Sequence, residues 1–141
     1  MAEGNQVKWV GIQPIQPLEN IPVSMGAWET TVSGVARTQI IKSVEANNET
    51  KIIHTVTADK TFYFVCCGCG CDSGAGKYVH VLIRNVADAT IAIIIDIHTT
   101  AQTAIARTVP FPIPIVLLSG FDVVMITDNP HATAFVLGWE Q

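Results

Sequence analysis

Charge is what this chain has least of. Asp, Glu, Lys and Arg make up 14% of its 141 residues, against about 25% in an ordinary soluble domain. A small monomer covers its surface largely with charged side chains. A deficit therefore points to surface that is buried against other copies or other proteins. The 8 basic and 12 acidic residues sum to a net charge of -4, and no basic footprint forms, which argues against nucleic-acid binding. Long hydrophobic runs are missing as well. The longest aliphatic stretch, Ile91–Ile95, is far short of the ~20 residues that span a bilayer as a helix, so no membrane partner is expected. The opening MAEGNQ lacks the positive region and apolar run of a secretory signal. The expectation is a soluble protein made in a cytoplasm, whose four cysteines stay thiols. Catalytic fingerprints are also lacking: there is no G-x-S-x-G, no H-E-x-x-H, no phosphate loop and no dinucleotide fingerprint. Gly74-Ala75-Gly76-Lys77 lacks the glycine spacing and the following Ser/Thr of a phosphate loop, and reads as a hairpin connection.

What is present is β grammar. The stretch Thr50 to Cys71, TKIIHTVTADKTFYFVCCGCGC, reads as a strand over Lys51–Thr57, a polar turn at Ala58-Asp59-Lys60 and a second strand from Thr61. Val, Ile, Thr, Phe and Tyr dominate it, and a turn signal between two such runs predicts a hairpin. Side chains alternate along a strand. Phe62, Phe64, Cys66, Gly68 and Gly70 are therefore expected on one face, and Tyr63, Val65, Cys67, Cys69 and Cys71 on the other. Further strands are expected at Ala36–Glu45, Tyr78–Val86, Thr90–His98, Phe121–Thr127 and Ala132–Trp139, with turns at Ala46–Glu49, Ala87–Ala89 and Asp128–His131. In Thr90–His98, Ile91, Ile93, Ile95 and Ile97 are predicted to form one unbroken apolar face, with Asp96 and His98 turned to water. Residues 99–120 are less regular. Pro110, Pro112 and Pro114 alternate with Phe111, Ile113 and Ile115, which keeps the chain extended and forbids a central-strand position.

About seven closely spaced strands and no amphipathic helix predict an all-β fold, an antiparallel β-sandwich or jelly roll. A closed barrel satisfies the same count. Residues 1–35 differ from the rest. Pro14, Pro17 and Pro22 deny backbone donors, yet apolar side chains are frequent, unlike in a disordered tail. We expect an extended N-terminal arm over 1–35 and a β-sandwich domain over 36–141. The arm would lay Trp9, Ile12, Ile15, Leu18 and Trp28 on its own domain or on a neighbouring subunit.

Several phrases of the chain resemble bacteriophage virion β-sandwich structural proteins. Thr55 to Phe64, TVTADKTFYF, is similar to their V-x-A-x-K-x-F-Y signature. Pro112-Ile113-Pro114-Ile115 with Ser119-Gly120-Phe121-Asp122 is similar to their P-x-P-I…G-x-D segment. Ala134–Trp139 resembles their final strand, and Asn20-Ile21-Pro22-Val23-Ser24 resembles the N-x-P-V-S phrase of their arms. The likeness covers about residues 18–24 and 50–139. Cys66-Cys67-Gly68-Cys69-Gly70-Cys71 departs from the pattern, where apolar and small polar residues are usual. The resemblance implies a capsid decoration, tail or fibre component, often trimeric and without enzymatic activity.

Candidate chemistry is sparse. Cys67, Cys69 and Cys71 are soft-metal ligand types, but along one strand face each pair stands about 7 Å apart, too far for one ion unless the strand folds over at Gly68 and Gly70. Small, buried core residues are the plainer reading. His54, His80, His98 and His131 sit on four separate elements. His98 with Asp96 forms either part of a metal or acid–base pair or ordinary solvated surface. Asp122 and Asp128 flank a strand as edge or turn residues.

The leading expectation is a non-enzymatic structural protein of a phage particle that takes no cofactor and no metal. It would be a capsid decoration protein, assembled in the host cytoplasm and located in the virion. It would form a homo-oligomer, a trimer, in contact with other virion proteins such as the major capsid protein. Two alternatives stand beside it. One is a tail, fibre or carbohydrate-binding module, which needs an exposed aromatic platform from a chain only 7% aromatic. The other is a thiol-based metal-binding domain.

Overall fold

The computed structural model describes residues 31–32, 35–72, 74–100 and 103–141. The expected arm falls almost wholly outside them, and so do Trp9, Ile12, Ile15, Leu18 and Trp28. Two short strands, β1 (Thr31–Val32) and β2 (Val35–Ala36), pair with each other. Eight more follow: β3 (Thr38–Ala46), β4 (Thr50–Thr55), β5 (Phe62–Cys71), β6 (Tyr78–Arg84), β7 (Thr90–His98), β8 (Ile105–Leu117), β9 (Asp122–Thr127) and β10 (Ala132–Glu140). They form two four-stranded antiparallel sheets, ordered β3-β10-β5-β8 and β4-β9-β6-β7. Among the described residues, no helix is long and apolar enough to cross a membrane.

This order is that of a jelly roll, and one long ribbon generates it. β6 pairs with β7, β5 with β8, β4 with β9 and β3 with β10, all antiparallel. The chain is thus a two-stranded ribbon closed at the β6–β7 turn, then rolled so that successive segments fall in alternate sheets. The tip is built by Asn85, whose Oδ1 accepts the amides of Ala87 and Ala89 at 2.9 and 3.0 Å, with Asp88 at φ 58°. The ribbon's own hydrogen bonds continue through each corner. Asn48 donates to the Asn129 carbonyl at 3.0 Å, Val56 to Phe121 at 2.8 Å, Gly120 to Val56 at 3.0 Å, and Thr99 to Lys77 at 2.7 Å. Rolling then adds the β10·β5 and β6·β9 ladders.

The expected hairpin of Thr50 to Cys71 is therefore corrected: β4 and β5 lie in different sheets. Two β runs around a turn describe a corner as well as a hairpin. Here the backbone of Val56 is taken by Gly120 and Phe121, so β4 is already paired and β5 must cross the sandwich. Lys60 closes the corner by donating to the Thr57 carbonyl at 3.1 Å, and Asp59 turns at φ 60°.

Two bulges also change which side chains point inward. In β5, Phe64 faces Gly138 and Cys66 faces Leu137, so Val65 is an extra residue. Phe62 and Phe64 are buried, and beyond the bulge Cys67, Cys69 and Cys71 are buried on that same inward face. The predicted separation of phenylalanines and cysteines onto opposite faces is overturned for that reason. In β7, Val81 pairs with Ile95 and Leu82 with Ile93, leaving Ile94 extra. Ile95 and Ile97 enter the core, while Ile91 and Ile93 are exposed, so the expected unbroken isoleucine face is broken midway. Residues 99–120 are more regular than expected, since β8 is the longest strand. It occupies a sheet edge, as its prolines require. Between Pro110 and Ile115 it loops out Phe111–Pro114 against the single Val65.

The core lies between the sheets. Phe62 and Phe64 stack at 5.7 Å, Phe111 meets Phe64 edge-on at 5.0 Å, and Val79, Val81, Val123 and Met125 face them from the other sheet. Gly138 is required by this packing. A Cβ there would overlap the Tyr63 carbonyl oxygen and stand 2.5 Å from the Phe62 ring. At Gly70 the nearest atom is the Ala106 Cβ at 3.3 Å. We expect Gly138→Ala to cost about 2–3 kcal/mol by overpacking, and Gly70→Ala less than about 1 kcal/mol, as read from urea unfolding midpoints. Equal midpoints would contradict the packing described.

Candidate functional site

The feature that most departs from an ordinary small domain is the outer face of the β3-β10-β5-β8 sheet. With Ile40, Val44, Phe64, Val136 and Cys67 pointing inward, the alternate positions point out and line up in four cross-strand rows. These are Gln39-Trp139-Tyr63-Val116, Ile41-Leu137-Cys66-Pro110, Ser43-Phe135-Gly68-Thr108 and Glu45-Thr133-Gly70-Ala106. Of these four rows of four, Glu45 alone is charged. Ile41 is 62% and Val116 54% exposed, and Leu137, Cys66 and Phe135 are half-buried. Glycine at position 68 lets the Phe135 ring lie flat across the neighbouring strand, where a Cβ would collide with it. Trp139 is buried, stacked on Tyr63 at 5.0 Å with the Arg37 guanidinium 4.5 Å above its ring. The result is a largely apolar surface with Glu45 at one end and the Arg37 guanidinium over Trp139 at the other. The looped-out segment of β8 adds Ile113, 82% exposed, at one edge.

Three of the four cysteines belong to the other side of this sheet. Cys67, Cys69 and Cys71 are buried free thiols, and Cys66 is half-buried on the outer face. Burial pushes the thiols of Cys67 and Cys69 up to about 12, with neighbouring thiols adding to the shift. A thiol that keeps its proton is neither a nucleophile nor a metal ligand.

One buried polar constellation joins the two sheets. His54 on β4 and Glu140 on β10 are 2% and 4% exposed. His54 Nε2 donates to Glu140 Oε1 at 2.8 Å, and the ring's Nδ1 accepts from Lys42 Nζ at 3.0 Å. Those partners fix a neutral imidazole carrying its proton on Nε2. The Thr57 amide donates to the same Glu140 oxygen at 2.9 Å. Burial, then the Lys42 charge, lower the His54 pKa against the opposing pull of Glu140. For Glu140, burial acts to raise the pKa, but the hydrogen bonds from Thr57 and the His54 imidazole outweigh it and hold the carboxyl below its usual range. The chain Lys42–His54–Glu140 balances its charges and ties β3, β4 and β10 together. Its His54 and Glu140 members are buried, while Lys42 lies at the exposed end of the chain.

The other polar residues singled out in the sequence are distributed as follows. Asp122 accepts the Thr55 hydroxyl at 2.5 Å, and Asp128 accepts the Tyr78 amide at 2.6 Å, so both hold corners. A groove at one end of the apolar sheet is lined by Glu45, Glu49, Asp72 and His131. Asp96 and His98 lie on the outer face of the second sheet, and β6 brings His80 to them. His80 was the residue that sequence spacing could not add, because the β6–β7 register unites them.

No protein-family model matches the chain, and no curated protein does. Solved structures are similar to it at low identity. A pentameric capsid protein isolated from metagenomic phage sequences is 18% identical with a TM-score of 0.38, over 72% of this chain and 59% of that one. A protein of the disulfide-linked pili of Bacillus endospore appendages is 13% identical with a TM-score of 0.39, over 79% and 96%. The extra small virus of the giant freshwater prawn Macrobrachium rosenbergii, as a virus-like particle, gives 10% and 0.36, over 79% and 82%. The chain spans about three-fifths of the length of the pentameric capsid protein.

The His54–Glu140 pair predicts acid sensitivity. Both groups bind protons less readily folded than unfolded. Their stabilisation is therefore complete above the unfolded values of about 6.5 and 4.3 and is lost as pH falls through the lowered folded ones. Urea midpoints should fall as pH drops from about 7 to about 4. Glu140→Ala should cost about 3 kcal/mol at neutral pH, because it strands a buried partner. A midpoint that rises in acid would contradict this network.

Proposed function

We propose that this chain is a non-enzymatic structural protein of a phage particle, and within that class a capsid decoration protein that stabilises the shell through subunit contacts. The observation that supports the reading is the outer face of the β3-β10-β5-β8 sheet, with one charge in sixteen positions. A solvated protein surface carries roughly a quarter to a third charged residues. The face spans roughly 20 by 25 Å, about 500 Å² in projection. Each partner of a stable interface buries about 800 Å², so the face needs a supplement.

In this reading the N-terminal arm, residues 1–35, supplies it. Trp9, Ile12, Ile15, Leu18 and Trp28 would bury area on an adjacent subunit, each fully buried large side chain contributing about 1.5–3 kcal/mol. The sandwich domain, 36–141, would trimerise and contact the major capsid protein. Among the described residues there is a single sandwich and no shaft repeat, which favours decoration over a tail or fibre part. Two facts weigh against the alternatives. The burial of Trp139 weighs against its serving in the aromatic platform of a glycan-binding module. The inward, protonated thiols of Cys67 and Cys69 are unsuited to a thiol-metal domain.

The test is native mass at micromolar concentration, with a double variant, Ile41→Glu and Val116→Glu. Both side chains are exposed, so the fold should survive. We expect the wild-type chain to be an oligomer and the variant a monomer with an unchanged urea midpoint. A wild-type monomer would contradict self-association, and electron microscopy placing the protein away from the capsid surface would contradict decoration.

A further inference from the structure

The outer face of the β4-β9-β6-β7 sheet carries a constellation of different chemistry. Val79 and Val81 of β6 and Ile95 and Ile97 of β7 point into the core, so His80, Asp96 and His98 point out. His80 and Asp96 are register partners across the two strands, and His98 follows two residues along β7. Nε2 of His80 lies 2.9 Å, and Nε2 of His98 3.0 Å, from the same oxygen, Asp96 Oδ1. One ligand atom from each residue falls within 4.8 Å of the others. Tyr78 stacks on the His80 ring at 4.7 Å, and the two imidazoles meet edge to face at 5.7 Å.

A second observation concerns His80 alone. Its Nε2 is closed off from solvent, and despite the nearby carboxylate it makes no aligned hydrogen bond. An enclosed polar atom without such a bond is costly, and a bound ion is one of the recognised ways to satisfy it. The donor set also matches. Two imidazole nitrogens and one carboxylate oxygen suit zinc and its neighbours among the late divalent metals. Metal–donor lengths of about 2.0–2.2 Å place tetrahedral donors roughly 3.4 Å apart, within the spread seen here, so small side-chain rotations suffice. Antiparallel pairing holds all three residues on rigid backbone.

We propose that His80, Asp96 and His98 bind one divalent transition-metal ion, zinc by preference, on the exterior of the sandwich. Three protein ligands leave one coordination position for water or for a donor from another molecule. The side chains of Asp96 and His98 are 54% and 66% exposed and that of His80 23%. The ion therefore approaches from solvent, and the site is not needed for folding. This inference is independent of the proposed virion role, because it lies on the opposite sheet from the apolar face.

The experiment is calorimetric titration of the chelator-treated full chain with zinc chloride, beside native mass spectrometry. We expect one saturable zinc per chain at micromolar concentration, and a rise in melting temperature on zinc addition. His98→Ala and Asp96→Asn should each weaken binding at least roughly tenfold and abolish the melting shift, while leaving the metal-free melting temperature unchanged. No saturable binding, or binding that both variants retain, would overturn the proposal. Zinc lost only on replacing Cys66 would overturn it too, by assigning the ion to a thiol.

Discussion

The continuity of one antiparallel ribbon through three corners is the constraint that the rest of the molecule obeys. A buried main chain must keep its hydrogen bonds. Here the corners at Asn48–Asn129, Val56–Phe121 and Lys77–Thr99 keep them by carrying ribbon pairing from one sheet into the other. Everything else follows from that path. β5 is delivered between β10 and β8, where Phe62 and Phe64 fill the middle of the sandwich. β6 and β7 are delivered side by side, which is what places His80 opposite Asp96. The last strand, β10, returns beside β3, and Glu140 at its end reaches His54 across the sheets.

Much of the fold was legible in the sequence because its signals were local. Among the described residues, the three non-glycine residues with positive φ, Asn48, Asp59 and Asp88, all sit in turns marked by Asn, Asp and small residues. The Pro110, Pro112, Pro114 series announced a sheet edge, since proline cannot donate to an inner ladder. What escaped was non-local. Alternation reports that two strands flank a turn, but not whether they pair, so a corner at residues 56–61 read as a hairpin. A bulge reverses parity without changing composition. Val65 and Ile94 look like any other strand residue, yet each decides which side chains beyond it reach the core. The candidate surface was visible only as a shortage of charge. Its location required the register that sets Ile41, Leu137, Cys66 and Pro110 in one row.

The two outer faces divide the molecule's chemistry. One sheet presents a flat field of apolar and small polar side chains, and the other gathers two imidazoles and a carboxylate beside Tyr78. Between them lie the phenylalanines, the protonated thiols and the Lys42–His54–Glu140 chain. Among the described residues, the buried His54–Glu140 pair joins strands of the two sheets.

Cys66 offers a direct probe of the central claim, because it stands in the middle of the apolar field while Cys67, Cys69 and Cys71 face the core. The measurement is the rate of alkylation of Cys66 as the protein is concentrated, followed by mass spectrometry, with the three core thiols as unreactive internal controls. If copies bury this sheet against one another, Cys66 becomes protected as concentration rises, and dilution restores its reactivity. A Cys66 that reacts at the same rate at every concentration would show the face open to water, and the account of this surface as an interface would be wrong.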